Sequence, residues 1–240
     1  MTVTAARWQE AQATEPPFWA GMVSWLPGLL RVLADNAAKA HYLSTLIKDW
    51  PRTCLEVGIG PFGVGIIGFL PQIERRFAID PADRTPLSPG AELHDYVAKW
   101  RAPVQYIVAC GESIPFQAES TEMVICCNVV DHALAPERVL FEIHRVLRPG
   151  GLLFFDVDTF SVCGLIKWYC WTRPRRSQDI LVRAHTYRMF EPFVRRSLRK
   201  HGFVEIQRKG HTLASLCFGH SRVSTFLLQK RTGGFPAGSQ

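Results

Sequence analysis

The run "LEVGIGPFG" (Leu55–Gly63) places three glycines within nine residues, directly after the strand-like "RTCLEV". Glycine inside an ordered chain is costly unless the backbone must turn through positive φ or approach another group closely. Gly58, Gly60 and Gly63 follow an apolar strand and open the run "GVGIIGFLPQI", which reads as a helix. In that context a glycine loop lets a ligand touch the backbone, with the N–H groups of a helix start facing it. Asp80 ends the next strand, "RRFAID", 20 residues beyond Gly60. A carboxylate there can accept hydrogen bonds from the two ribose hydroxyls of a nucleoside ligand. Strand, loop, helix and carboxylate together constrain the chain to a nucleotide-type α/β fold.

The rest of the chain agrees with that constraint. After "AELHDYVAKW", a helix, come the strands "VQYIVA" and "EMVICCNVV", and then the helix "APERVLFEIHRVLRPGG". Val139, Leu140, Ile143, Val146 and Leu147 share one face of that helix, and Arg148-Pro149-Gly150-Gly151 marks its end. "LLFFDVD" is apolar enough for a strand buried on both faces. Strands alternating with helices through short links form a Rossmann-like, doubly wound α/β sheet, mostly parallel. Cys126 and Cys127 are adjacent in a strand and should face opposite sides of it. Late in the chain, "EPFVRRSLRKHG" is a helix with Gly202 as its left-handed cap, followed by the strands "FVEIQRK" and "RVSTFLLQ". The expected organisation is an N-terminal helical cap over residues 1–50, a main domain over 51–230 with a cap insertion at 159–190, and a disordered tail at 231–240.

Charge narrows the ligand. Glu56 stands two residues before Gly58, where it would repel the phosphates of a dinucleotide and suit a cationic ligand such as the amino and sulfonium groups of S-adenosylmethionine. That weighs against an NAD-dependent oxidoreductase. The net charge of +7 and pI near 9.2 suit anionic partners. The seven cysteines show no zinc-ligand spacing, and the first residues lack the pattern of a secretory leader. Reduced thiols, no metal and a cytoplasmic setting are expected. The longest uncharged run, "PPFWAGMVSWLPGLL", is too short to span a membrane and is broken by Pro27 and Gly28.

"LEVGIGPFG", "AID", "CGESIPF", "CNVVDH" and "RVLRPGG" occur in the order and spacing of class I S-adenosylmethionine-dependent methyltransferases, and the chain resembles the small-molecule branch of that family over about Arg52–Asp158. "HTYRMFEPFVRRSLRKHGFVEI" is similar to the family's late helix and sixth strand. The resemblance implies a seven-stranded sheet with an antiparallel last strand. It also implies that Glu56, Gly58 and Gly60, with Gly63 completing the loop, line the methionine end of the cofactor and that Asp80 holds its ribose. Gly111 and Glu112 would flank the adenine, and Asn128 would lie near the amino-acid portion. The chain departs from the family pattern at Cys110, where an acidic residue usually precedes the Ala-Glu pair. A non-catalytic S-adenosylmethionine-binding module is the alternative that this departure keeps open.

Methyl transfer is an in-line displacement, and a general base serves when the acceptor must lose a proton. His132, after the fourth strand, is the leading candidate because its ordinary pKa lies near neutrality. His185 and Tyr187 are weaker candidates, while His94, His144 and His201 fall in helical stretches. Asn128-Val129-Val130-Asp131 differs from the Asn-Pro-Pro-Tyr pattern of nucleic-acid and protein nitrogen methylation, so nucleic acid is not the expected partner. "LIKWYCWTRPRRSQD" (Leu165–Asp179) interleaves Trp168, Tyr169 and Trp171 with Lys167, Arg173, Arg175 and Arg176. With Phe18, Trp19 and Trp25 it is expected to cap a pocket for a small or lipid-like acceptor carrying an anionic group. The same composition suits peripheral contact with a membrane surface.

Overall fold

The computed structural model describes residues 4–85, 92–166, 187–218 and 222–232. It is built on a seven-stranded sheet in the order β3-β2-β1-β4-β5-β7-β6. The strands are β1 (Thr53–Val57), β2 (Arg75–Asp80), β3 (Val104–Val108), β4 (Thr121–Cys127), β5 (Leu147–Thr159), β6 (Phe203–Lys209) and β7 (Arg222–Lys230). β1 to β5 pair in parallel, while β7 is antiparallel to both β5 and β6. This is the mixed sheet that the family resemblance implies.

All five residues of β1 are buried, because helices cover both faces of the sheet. Leu55, Val57 and Cys126 pack in one core with α5 (Pro136–Val146) and α6 (Glu191–Lys200). Cys54, Ile125 and Phe154 pack in the other with Leu43 and Ile47, at the end of the N-terminal helical region. The two adjacent cysteines separate as strand alternation requires, Cys126 to the first core and Cys127 against the second.

The N-terminal region forms three helices, α1 (Ala5–Gln12), α2 (Glu15–Ser24) and α3 (Leu26–Leu46). Prolines in the first turns of α2 and α3 suit new helix starts, since proline there loses no hydrogen bond. α3 is tied to the sheet by Lys39, whose Nζ lies 2.6 Å from the buried carboxylate of Asp156 on β5. Burial opposes the Lys39 charge, but Asp156 outweighs it and the pKa is raised.

Three local expectations are corrected. The run after the glycine loop makes only a 3-10 turn, Ile66–Phe69. Three glycines and Pro71 weaken any longer helix, each interior glycine by about 1 kcal/mol. α5 ends at Val146, and Leu147 already pairs with Thr121, so Arg148-Pro149-Gly150-Gly151 lies inside β5. Gly150, at φ +76°, serves the irregular register between Thr121 and Met123 rather than a helix cap. A short helix, α7 (Leu213–Phe218), also stands between β6 and β7. Gly202 does take the left-handed conformation expected of it, at φ +81°. α4 (Glu92–Arg101) matches its expected run.

The sheet order reverses between β1 and β4: the chain proceeds outward through β2 and β3 on one side and through β4 and β5 on the other. The crevice beyond the carboxyl ends of these strands is where such sheets place ligands.

Candidate active site

A cavity of about 620 Å³ opens at that switch point. Its floor includes Gly58, Gly60 and Asp80, its far wall Cys110, Gly111 and Glu112, and its near wall Asn128 and His132. Residues of α1 and α2 roof it, namely Trp8, Gln12, Glu15, Phe18 and Trp19.

The loop after β1 is shaped for close approach. Gly58 and Gly60 sit at φ +73° and +79°, where a side chain is strained. A Cβ on Gly58 would also overlap the Val129 side chain. The Gly60 N–H donates to Asp80 Oδ2 at 2.8 Å, and the Ala82 N–H donates to Oδ1 at 3.0 Å. Burial raises the Asp80 pKa; the two amide bonds oppose it, and the charge of Glu15 adds to it. Each carboxylate oxygen keeps a further lone pair.

Two sequence-expected residues stand outside the lining. Glu56 is 4% exposed, and its carboxylate accepts from the Ile66 and Ile67 N–H groups at 3.1 and 2.9 Å. It therefore faces the start of the 3-10 turn, packed against Gly65. Burial pushes its pKa up to about 7, against the pull of the two amides and Lys39. Gly63, at φ +70°, lies against the Arg84 side chain. Gly111 and Glu112 do line the cavity, each with structural work besides. A Cβ on Gly111 would press within 3.2 Å of Val57 and Val139. Glu112 Oε1 accepts from Leu134 and Ala135 N–H groups, at 2.9 and 3.3 Å, at the entrance of α5. Cys110, half-buried in the wall, has its thiol pKa raised by burial and by the charges of Glu112 and Asp80.

Asn128 ends β4 at φ +55°, an uncommon conformation for a residue with a side chain. Its Nδ2 lies 3.5 Å from His132 Nε2. His132 Nδ1 is 3.0 Å from Glu15 Oε1, and the other oxygen, Oε2, accepts from the Trp19 indole N–H at 3.1 Å. The Trp8 indole and the Gln12 amide both donate to the His132 carbonyl, at 3.1 and 3.2 Å. Burial lowers the His132 pKa, but Glu15, Asp131 and Asp158 together raise it further, so the net shift is upward.

The aromatic roof was legible only in part. Phe18 and Trp19 line the cavity, while Trp25 is 60% exposed and does not. Glu15, Gln12 and Asp158 were not foreseen; the one signal was an acid beside the aromatic "PPFW" run. Tyr187 donates its hydroxyl to the Leu134 carbonyl at 2.9 Å and is not in the lining. His144 lies beside Phe203 and His201 near Glu137, both away from the cavity. The side chain of His94, all of His185, and the basic-aromatic stretch from Lys167 lie outside the described residues. Among the described lining residues Glu15, Asp80, Glu112 and Asp158 are acidic, and none is lysine or arginine.

Fold, switch-point cavity and glycine–aspartate loop define a class: a Rossmann-like domain built to hold a nucleoside ligand. The methyltransferase domain family matches residues 55–155. Thiol S-methyltransferase TMT1B of Mus musculus is 32% identical over 158 residues, 62% of this chain and 59% of that protein. TMT1B of Rattus norvegicus is 36% identical, covering 55% of this chain and 57% of its own length. The chain thus spans just under three fifths of these curated relatives. Among solved structures, a Thermotoga maritima S-adenosylmethionine-dependent methyltransferase superposes with a TM-score of 0.57 at 16% identity, covering 87% of this chain and 95% of its own. Residues 55–155 are thus a methyltransferase domain, set in a chain with the fold of the S-adenosylmethionine-dependent methyltransferases. S-adenosylmethionine is the cofactor of that family, which sets aside the nicotinamide alternative.

Proposed function

We propose that the cavity holds S-adenosylmethionine and that the protein methylates a small, weakly acidic acceptor, a thiol in the first instance. The observation that carries this reading is one cavity shared by the Gly58–Gly60 turn, Asp80 and His132. The chemistry present fits the cofactor. Asp80, fixed by two backbone amides, has lone pairs for ribose hydroxyls, and the glycine turn admits a ligand against the backbone. Asn128, Gly111 and Glu112 complete the wall around it. Glu56, one layer below, supports the loop by holding the Ile66 and Ile67 amides rather than touching the ligand.

When bound, S-adenosylmethionine supplies a methyl group on a sulfonium, whose bonding pair stays on sulfur as S-adenosylhomocysteine is left. The protein's contribution is alignment and proton removal. His132 Nε2 takes the acceptor proton, which suits a thiol or phenol ionising not far above neutrality. The acidic side chains among the described lining residues favour an acceptor without a permanent negative charge; most of the basic-aromatic stretch from which an anionic group is expected lies outside the described residues. The two thiol methyltransferase relatives support a thiol before a phenol. We further assign residues 1–50 as the cap and 51–230 as the transferase domain.

The test is product analysis by mass spectrometry after incubation with S-adenosylmethionine and a panel of small thiols, phenols and amines. Methylated thiol with stoichiometric S-adenosylhomocysteine is expected. Cofactor binding with no methylated product across the panel would favour a non-catalytic module instead.

A further inference from the structure

We infer that Glu15 is a positioning residue, reaching from α2 to fix the tautomer and basicity of His132. The inference rests on the proposed role of His132 as base, and its test separates the two.

The geometry is that of a base oriented by a carboxylate. Glu15 Oε1 lies 3.0 Å from Nδ1, so its charge favours the proton of a neutral ring at Nδ1. Nε2 is then left with its lone pair, facing the Asn128 amide at 3.5 Å and the cavity. The opposite tautomer would set a ring lone pair against a carboxylate oxygen. Glu15 is itself held, because its second oxygen accepts from the Trp19 indole N–H, and that indole lies over Gly60. The His132 backbone is gripped separately by Trp8 and Gln12 of α1. Ring and backbone of one histidine are thus secured by two different N-terminal helices, far from it in sequence.

The charged groups facing the ring are Glu15 from α2, Asp131 from its own loop, with Oδ2 3.7 Å from Nε2, and Asp158 from β5. All three favour the imidazolium, and burial opposes it. Asp131 stands 3.7 Å from Nε2, so Glu15, closer at 3.0 Å from Nδ1, decides the tautomer as well as adding to the charge. One helix, α2, thereby places Trp19 over Gly60 and Glu15 against His132.

The test is nitrogen-15 NMR of the histidine side chains, with the His132 signal identified by its loss in His132→Asn. Wild type is expected to show the Nδ1–H form above its midpoint. Glu15→Gln is expected to lower the midpoint by about one pH unit, the size of effect a neighbouring charge produces. Trp19→Phe, which frees one carboxylate oxygen, should lower it less. The acid limb of kcat against pH should move with the midpoint. An unchanged titration and tautomer in folded Glu15→Gln and Trp19→Phe would overturn the inference. The base role is read independently: undiminished kcat in His132→Asn would remove that role whatever the titration shows.

Discussion

At Gly58 the sequence leaves no room for a side chain: φ is +73° and Val129 fills the space a Cβ would need. Gly58→Ala is expected to cost about 1–3 kcal/mol and to lower the thermal midpoint by roughly 5 °C, measurable by calorimetry. Glu56 gives a pH signature. Its folded pKa is pushed up to about 7 from the ordinary 4.5, so between these values the folded chain holds a proton that the unfolded chain has released. Its contribution to stability is therefore complete below about pH 4.5 and lost as pH rises to about 7. In Glu56→Gln the difference between thermal midpoints at pH 5 and pH 8 should shrink, even though the amide satisfies Ile66 and Ile67 less well. An unchanged difference would show that another group sets it. At this scale the positive φ of Gly58 and Gly60 and the strand-end place of Asp80 were legible, because backbone conformation and strand-end position leave a local trace. The location of Glu56 was not: its charge suggested a cationic ligand, whereas its partners are two amides ten and eleven residues later.

Among the elements, α3 is joined to β5 by a buried ion pair. Lys39→Met would leave Asp156, 1% exposed, as an uncompensated charge at the centre of the sheet. Removing one partner of such a pair costs about 3–5 kcal/mol. Chemical denaturation should register that loss, and Lys39→Met with Asp156→Leu should recover much of it. If the single variant matches wild type, the pair is not what fastens α3. The strands of the parallel sheet were all legible as apolar runs of four to eight residues. The helix expected after the glycine loop was not formed, because hydrophobic spacing does not count the glycines that weaken it. The end of α5 was misplaced for a related reason: Pro149 and Gly150 serve a β-irregularity that only the pairing of Thr121 with Leu147 reveals.

For the molecule as a whole, the net charge is +7, while the acidic side chains Glu15, Asp80, Glu112 and Asp158 stand among the described lining residues of the cavity. Net charge describes the surface, whereas the cavity selects its residues one by one, and the roof comes from helices more than 100 residues distant from His132. No helix among the described residues is long and apolar enough to cross a membrane. Whether the cavity beside Gly58, Gly60 and Asp80 holds S-adenosylmethionine is tested most directly by calorimetric titration with S-adenosylhomocysteine. Wild type is expected to bind with micromolar affinity, weakened at least about tenfold, or 1.4 kcal/mol, in a folded Asp80→Ala variant. Absence of heat and of thermal stabilisation in the folded wild type, or undiminished affinity in Asp80→Ala, would contradict it.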